Sequence, residues 1–263
     1  MLILLPPSEG KSAPVRGKPM EPSRLSFSSL HPARAKVLEA LVDLCTTDAP
    51  DDLDRAVQVL GVGRTLADEV ARNSDLTSAH STRADRVYTG VLYEALDMPS
   101  LEGSARRRAT SWVAITSALF GLVRPADHIA AYRLSGDVTL PGIGGLAGFW
   151  RDQLDGAVRD AAGKGLVIDL RSSTYAPFWR PDPAMARRVV TMRVLHEVDG
   201  ARKVVSHFNK ATKGRIVRAL LEDGRNPSSA RMLAAHLTEL GWHVELGSPG
   251  RHGTLLDVVV AAL

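Results

Sequence analysis

The sequence predicts an α+β fold, an irregular mixed α/β arrangement rather than a doubly wound sheet. Short apolar, β-branched runs are interleaved with helical stretches along the whole chain, and their order never settles into a regular βαβ period. A purely helical stretch at about 31–75 adds a lobe appended to that mixed core. The 263 residues suffice for one large core, and no repeat or low-complexity linker divides them, so a single domain over 1–263 is expected.

Met1–Leu5 is a continuous apolar run and reads as a buried strand, stopped by Pro6 and Pro7. Ser8–Ser29 is polar, with glycine, proline and basic residues, and reads as a long loop. Helical periodicity runs from about Pro32 to Cys45. It resumes in DRAVQVLGVGRTLADEVARN, from Asp54 to Asn73, as two helix patterns around a Gly-Val-Gly hinge. Val57, Leu60, Leu66, Ala67 and Val70 are spaced to pack these limbs together, the second starting near Arg64. Arg86–Tyr88 reads as a short strand, Val91–Ala95 as a helix and Trp112–Ser117 as a central strand, followed by a turn through Gly121 and Pro125. Gly145–Ala162 is amphipathic, with Phe149, Trp150, Leu154 and Val158 on one face. Strands follow at Leu166–Leu170, Val189–Leu195 and Lys203–Phe208, then helices at about Lys213–Glu222 and Ser228–Leu240. The chain closes with strands near His243–Leu246 and Leu255–Ala261.

Hydrophobic content of 44% and charged content of 24% are those of a globular protein. A net charge of +4 permits contact with nucleic acid or phosphorylated ligands without requiring it. Cys45 is the only cysteine, which excludes an intrachain disulfide and a thiolate metal cluster, and its apolar neighbours make it a core thiol. Met1–Leu5 is too short for a signal peptide and lacks a basic n-region, and no stretch approaches a membrane span. A cytoplasmic protein is expected. The histidines show no HxxxH or HExxH spacing, so no metal site is expected. Gly142–Gly145 lacks the full dinucleotide fingerprint, no Gly-x-Ser-x-Gly elbow occurs, and no cofactor is expected.

Five segments carry possible chemistry. Gly61 and Gly63 suit the tight hairpin of a helix-hairpin-helix module, which lets backbone N–H groups approach a phosphate beside Arg64. An ordinary αα-turn with a C-cap glycine is the alternative. Pro6–Lys11 follows the first strand and places Ser8 and Lys11 where a phosphate or carboxylate can be held; it is not a Walker A loop. Ser117–Leu134 offers Arg124 and Arg133, planar forks suited to anions, together with Tyr132; Asp127 could orient one of them in a structural pair. Ser206–Arg218 carries Lys210, Lys213, Arg215 and Arg218 at spacings that put several near one helix face. Ser172-Ser173-Thr174 reads as a cap for the segment up to Trp179, an active-site turn being the alternative.

Seven stretches in order, MLILLPPSEGK, VYTG at 87–90, SALFGLVRP at 117–125, YRL at 132–134, FW at 149–150, VIDLRSSTY at 167–175 and SHFNKATKG at 206–214, resemble the YaaA family of bacterial peroxide-stress proteins. The resemblance implies a YaaA-type mixed α/β fold with a helix-hairpin-helix element, and a cytosolic protein that limits intracellular iron and DNA damage under hydrogen peroxide. It also implies DNA binding that favours structure over sequence, and it brings no established reaction. Many relatives carry a Ser-Pro-Ala-Lys-type loop where this chain has Pro-Ser-Glu-Gly-Lys, Lys11 matching the family lysine, and Arg-Gly where it has Lys213-Gly214.

Two functions are therefore expected to compete. In the first, DNA phosphates are held without sequence preference by Gly61, Gly63 and Arg64 and by Lys210, Lys213, Arg215 and Arg218. In the second, an enzyme handles a small phosphorylated or nucleotide-like ligand in a pocket of Ser8, Lys11, Arg124, Tyr132, Arg133 and Lys210, with Lys11 or Tyr132 as acid–base groups. A stress-linked interaction protein whose basic residues only solvate it is a third possibility.

Overall fold

The first strand is buried at all four positions because it lies inside a parallel sheet, covered on both faces. The computed structural model describes residues 1–46, 50–198, 201–203 and 206–261. In chain order the strands are β1 (Leu2–Leu5), β2 (Thr82–Arg83), β3 (Val113–Ser117), β4 (Gly121–Val123), β5 (His128–Ile129), β6 (Thr139–Leu140), β7 (Gly144–Gly145), β8 (Val167–Asp169), β9 (Val189–Val198), β10 (Ala201–Lys203), β11 (His243–Gly250) and β12 (Gly253–Ala261). The α-helices are α1 (His31–Cys45), α2 (Pro50–Val59), α3 (Ala67–Ala71), α4 (Ala84–Val87), α5 (Val91–Leu96), α6 (Gly103–Trp112), α7 (Leu146–Ala162), α8 (Pro183–Ala186), α9 (Ser206–Asp223) and α10 (Ala230–Glu239).

The main sheet runs β11-β12-β9-β8-β1-β3-β4, with β10 paired to the far end of β9. Its five inner strands are parallel, and the two edge strands are antiparallel to their neighbours. The mixed α/β fold expected from the sequence is therefore present. The β4 edge does not stay open: Arg34 of α1 donates to the Phe120 and Leu122 carbonyls at 2.9 and 2.6 Å. On α7, Trp150, Leu154 and Val158 are buried as the apolar stripe requires, and Trp150 donates to the Ala118 carbonyl at 2.7 Å.

Three sequence expectations are corrected. Arg86–Tyr88 is not a strand: Val87 ends the helical turn α4, whose Ala84 and Asp85 amides donate to the Asp127 and Pro125 carbonyls. Tyr88 then makes an isolated bridge to Lys11. The strand expected at Lys203–Phe208 stops at Lys203, residues 204–205 lie outside the described residues, and Ser206 already opens α9. Helix α6 was not expected, because Arg106–Arg108 interrupts any apolar stripe and Ala109 is its only residue classed as buried.

The Gly-Val-Gly segment does join two helical limbs. Gly61 takes φ +64°, whereas Gly63 is extended at φ −70°. The second limb is not one helix: a 3₁₀ turn at Arg64–Leu66 leads into the five-residue α3 and another 3₁₀ turn at Arg72–Asp75. Val57, Leu60 and Val70 are buried between the limbs, while Leu66 and Ala67 are half-buried.

Candidate functional site

Because β1 and β8 are parallel neighbours, the loops that leave them emerge at the same edge of the sheet. A cavity of about 510 Å³ opens there, lined by residues 6–10, 89–93, 172–175 and Lys210. Ligands in open α/β sheets bind outside the carboxyl ends of strands, and this volume suits a small organic molecule. A larger depression of about 670 Å³ beside α1 and α2 contains none of the predicted site residues.

Each wall has a local cause. Pro6 and Pro7 end β1, and the Ser8 hydroxyl then stitches the loop together. It donates to the Gly10 carbonyl at 2.6 Å and accepts the Thr89 amide at 3.0 Å. Thr89 returns a bond to the Gly10 carbonyl at 3.1 Å, and Tyr93 donates to the Pro6 carbonyl at 2.6 Å. Gly90, at φ +88°, turns the chain from Thr89 into α5, a conformation costly for other residues. The wall at 172–175 closes on its own backbone: the Tyr175 and Ala176 amides both donate to the Ser172 carbonyl, at 3.0 and 2.8 Å.

Under that wall lies a buried ion pair. Arg171 contacts both Asp169 oxygens, at 2.9 and 2.7 Å, and donates to the Tyr175 and Trp179 carbonyls at 3.1 and 2.9 Å. Burial opposes the charge on Asp169, but the Arg171 guanidinium outweighs it and holds the carboxyl below its usual range. Sequence reasoning missed this pair. Its signal was an acid and a base two residues apart at a strand end, where they share one side of the chain.

Lys11, Tyr132 and Arg133 come together beside the loop, around a buried hydroxyl chain. The Ser117 hydroxyl bonds Tyr132 at 2.8 Å, and Tyr132 bonds Tyr88 at 3.0 Å. Burial raises the Tyr132 phenol well above its ordinary value and pushes Tyr88 up to about 12, so both stay protonated near neutrality. That leaves Tyr132 a hydrogen-bond donor rather than a proton-transfer acid or a phenolate base near neutrality. The Lys11 ammonium lies 4.3 Å from the centre of the Tyr132 ring and donates to the Ser8 and Glu9 carbonyls at 2.9 and 3.3 Å. Arg133 reaches Glu9 and Glu69 at 3.8 and 3.5 Å, and its buried Nε has no partner among the described residues.

Burial lowers the Lys11 amine to about 8. The unfolded chain holds this proton up to its ordinary value, while the folded chain releases it first. The cost of burying the charge is thus present below pH 8 and relieved as pH rises from about 8 to about 10.5, by a total on the order of 3 kcal/mol. Thermal unfolding of the wild type should gain stability over that window relative to Lys11→Met. Parallel pH curves for the two proteins would contradict the assignment.

The remaining predicted residues lie elsewhere. Arg124 donates to the Val113 carbonyl at 2.9 Å, at the opposite end of β3, and stacks on Phe27. Arg218 is engaged by the Leu96 and Asp97 carbonyls at 3.1 Å each and by Glu222. Lys213 is half-buried and donates to the Leu170 carbonyl at 3.2 Å; Arg215 is exposed. On the hairpin, Gly61 and Gly63 are exposed and Arg64 pairs with Asp54 at 2.9 Å. Ser8 and Lys210 are thus the predicted residues that line the cavity itself.

Among the described residues no group of three or more His, Cys, Asp or Glu is placed to hold a metal ion, and no helix is long and apolar enough to cross a membrane. A family model described as peroxide stress protein YaaA matches residues 1–245. A UPF0246 protein of Streptomyces coelicolor is 48% identical over 262 residues, covering 99% of this chain and 98% of that protein. One from Corynebacterium efficiens is 41% identical, covering 98% and 100% respectively. A relative from a Ruegeria species is 32% identical over 199 residues, covering 68% of this chain and 79% of its own length. The match spans every loop that builds the cavity, and the chain belongs to the YaaA family of peroxide stress proteins.

Proposed function

We propose that this peroxide stress protein works by binding, and acting on, a small phosphorylated or nucleotide-like ligand in the strand-end cleft. The observation that carries this is the convergence of the loops after β1 and β8, the first turn of α5 and Lys210 around one cavity of about 510 Å³. Lys11, Tyr132 and Arg133 lie beside it as a layer of protein-held donors. Thermal unfolding with AMP, ADP, ribose 5-phosphate and pyrophosphate tests the assignment against Val91→Trp, which fills the cavity from the α5 wall. A ligand present at a hundred times its Kd stabilises by about 2.7 kcal/mol, and the variant should lose that gain. No stabilisation by any of the four, or an undiminished gain in the variant, would sink it.

DNA binding is the second function, favoured by the left-handed Gly61 at an exposed hairpin and by Arg64, whose side chain is 82% exposed. Covering phosphates releases the cations condensed on them, which offers one route to less iron-driven damage on the covered DNA. Against it stand Asp54, which already pairs Arg64, and Asp68 and Glu69 in the first turn of α3, where a phosphate would be repelled. Duplex DNA titrated at low and physiological salt decides between the two. Steep weakening with salt, lost in Gly61→Val/Gly63→Val, supports the hairpin, and a salt-insensitive affinity removes it.

A further inference from the structure

Ser172, Ser173 and Thr174 place three successive hydroxyls on the cavity wall, and none has a hydrogen-bond partner among the described residues. Hydroxyls at such positions ordinarily return to nearby backbone as caps or turns. Here they do not: the 3₁₀ turn at Ala176–Phe178 has no side-chain cap, and the main chain and Arg171 hold the segment in place. The donors are spare, fixed and directed to one wall of the cleft.

Positive charge reaches the same cleft from α9. Lys210 lines the cavity and has no carboxylate within ion-pair distance among the described residues. Lys213 follows one helical turn later, on the same face, and its amine reaches the Leu170 carbonyl just ahead of the hydroxyl turn. The carboxylate that acts on it electrostatically, Asp169, is already held by both arms of Arg171. Arg193, Arg202 and Arg225, by contrast, each bind carboxylates. Glu9 lies on the cavity wall as well and would repel a second anionic group, while its oxygens can accept from ligand hydroxyls.

We propose that the Ser172–Thr174 turn and Lys210 form a phosphate subsite for a small phosphomonoester whose hydroxylated portion extends toward Glu9, with Lys213 adding positive charge from behind the turn. This deepens the cleft assignment above and rests on it. A terminal phosphate carries a charge of about −1.5 to −2 and three acceptor oxygens, which matches a lining lysine, a second lysine behind it and a row of hydroxyl donors better than a carboxylate does. The same arrangement disfavours a polyphosphate, whose further charge would meet Glu9.

Calorimetric titration with AMP, adenosine and ribose 5-phosphate tests the subsite in the full chain. Wild type should bind AMP more tightly than adenosine. Lys210→Ala should weaken AMP and ribose 5-phosphate by about tenfold or more while leaving adenosine unchanged, the usual effect of losing a charge-assisted hydrogen bond. Ser173→Ala should give a smaller loss of the same kind. Lys210 and Ser173 are exposed, so both variants should fold, which circular dichroism checks. Lys213→Gln adds a second charge deletion at the half-buried position and should weaken the same two ligands. Equal affinity for AMP and adenosine, or phosphate ligands untouched by these substitutions, overturns the subsite and leaves the cleft standing. Failure of all three probes to bind overturns the subsite, and with it the cleft when ADP and pyrophosphate also fail to stabilise the chain.

Discussion

Replacing Arg171 with methionine is expected to lower the unfolding free energy by about 3–5 kcal/mol, the usual result of stranding one partner of a buried ion pair. The guanidinium is the only cation within ion-pair distance of the Asp169 carboxylate among the described residues, Lys213 acting on it from farther off, and both side chains are at most 10% exposed. It also gathers the carbonyls of Tyr175 and Trp179, so its loss releases the turn that forms one wall of the cleft. Urea unfolding at pH 7 measures the cost. The double variant Asp169→Asn/Arg171→Met removes both charges and should recover part of it, because no carboxylate is then left uncompensated. A loss below about 1 kcal/mol in the single variant, or a double variant worse than the single, would show that the pair does not hold this turn. Since Asp169 sits below its ordinary carboxyl value when folded, its contribution is complete above that value and fades as pH falls through the folded one. The methionine variant should therefore lie closer to wild type in acid than at neutrality.

How much of this could be read in advance depended on whether a segment's burial is local or shared. β1, β3 and α7 were legible because an unbroken apolar run and a strict helical stripe each state their own surroundings. Helix α6 was not, since three consecutive arginines interrupt its apolar pattern and one of them, Arg108, is accommodated far along the chain by the Leu221 and Glu222 carbonyls. The same cause separates the predicted site residues. Arg124 and Arg218 have the side chain an anion site needs, but backbone carbonyls of Val113, Leu96 and Asp97 occupy them first. Those carbonyls become neighbours only once the sheet and α5 are in place. Ser172–Thr174 presented the converse difficulty. Their hydroxyls suggested caps, and only the backbone closure of the turn shows that no cap was needed. Lys11, Tyr132 and Arg133, expected as a pocket lining from their place after strand ends, lie near one another, but the cavity proper lies to one side of them.

Gly214→Ala reverses the ordinary sign of a glycine-to-alanine change in a helix. In the interior of an exposed helix that substitution gains about 1 kcal/mol from backbone propensity. Gly214 instead marks the crossing of α9 over α5. A Cβ there would collide with the Leu92 carbonyl oxygen, with the Ala95 Cβ and the Leu96 nitrogen also at 3.0 Å. The obstruction is mainly backbone, so it cannot rotate aside as the tip of a side chain can. Overpacking of this kind costs about 1–3 kcal/mol and sometimes more, so a net loss of about 2 kcal/mol is expected, larger for Gly214→Val. Gly156 on α7 is the internal control, because it is exposed and a Cβ there meets nothing within 4 Å. Gly156→Ala should stabilise while Gly214→Ala destabilises, and a shift of both in the same direction would refute the packing argument. The consequence reaches the cleft, since α5 supplies one wall and α9 carries Lys210. Forcing the two helices apart should weaken AMP binding and stability together, whereas Lys210→Ala should weaken AMP binding alone. That difference separates the helix crossing, which sets the width of the cleft, from the charge that the cleft presents.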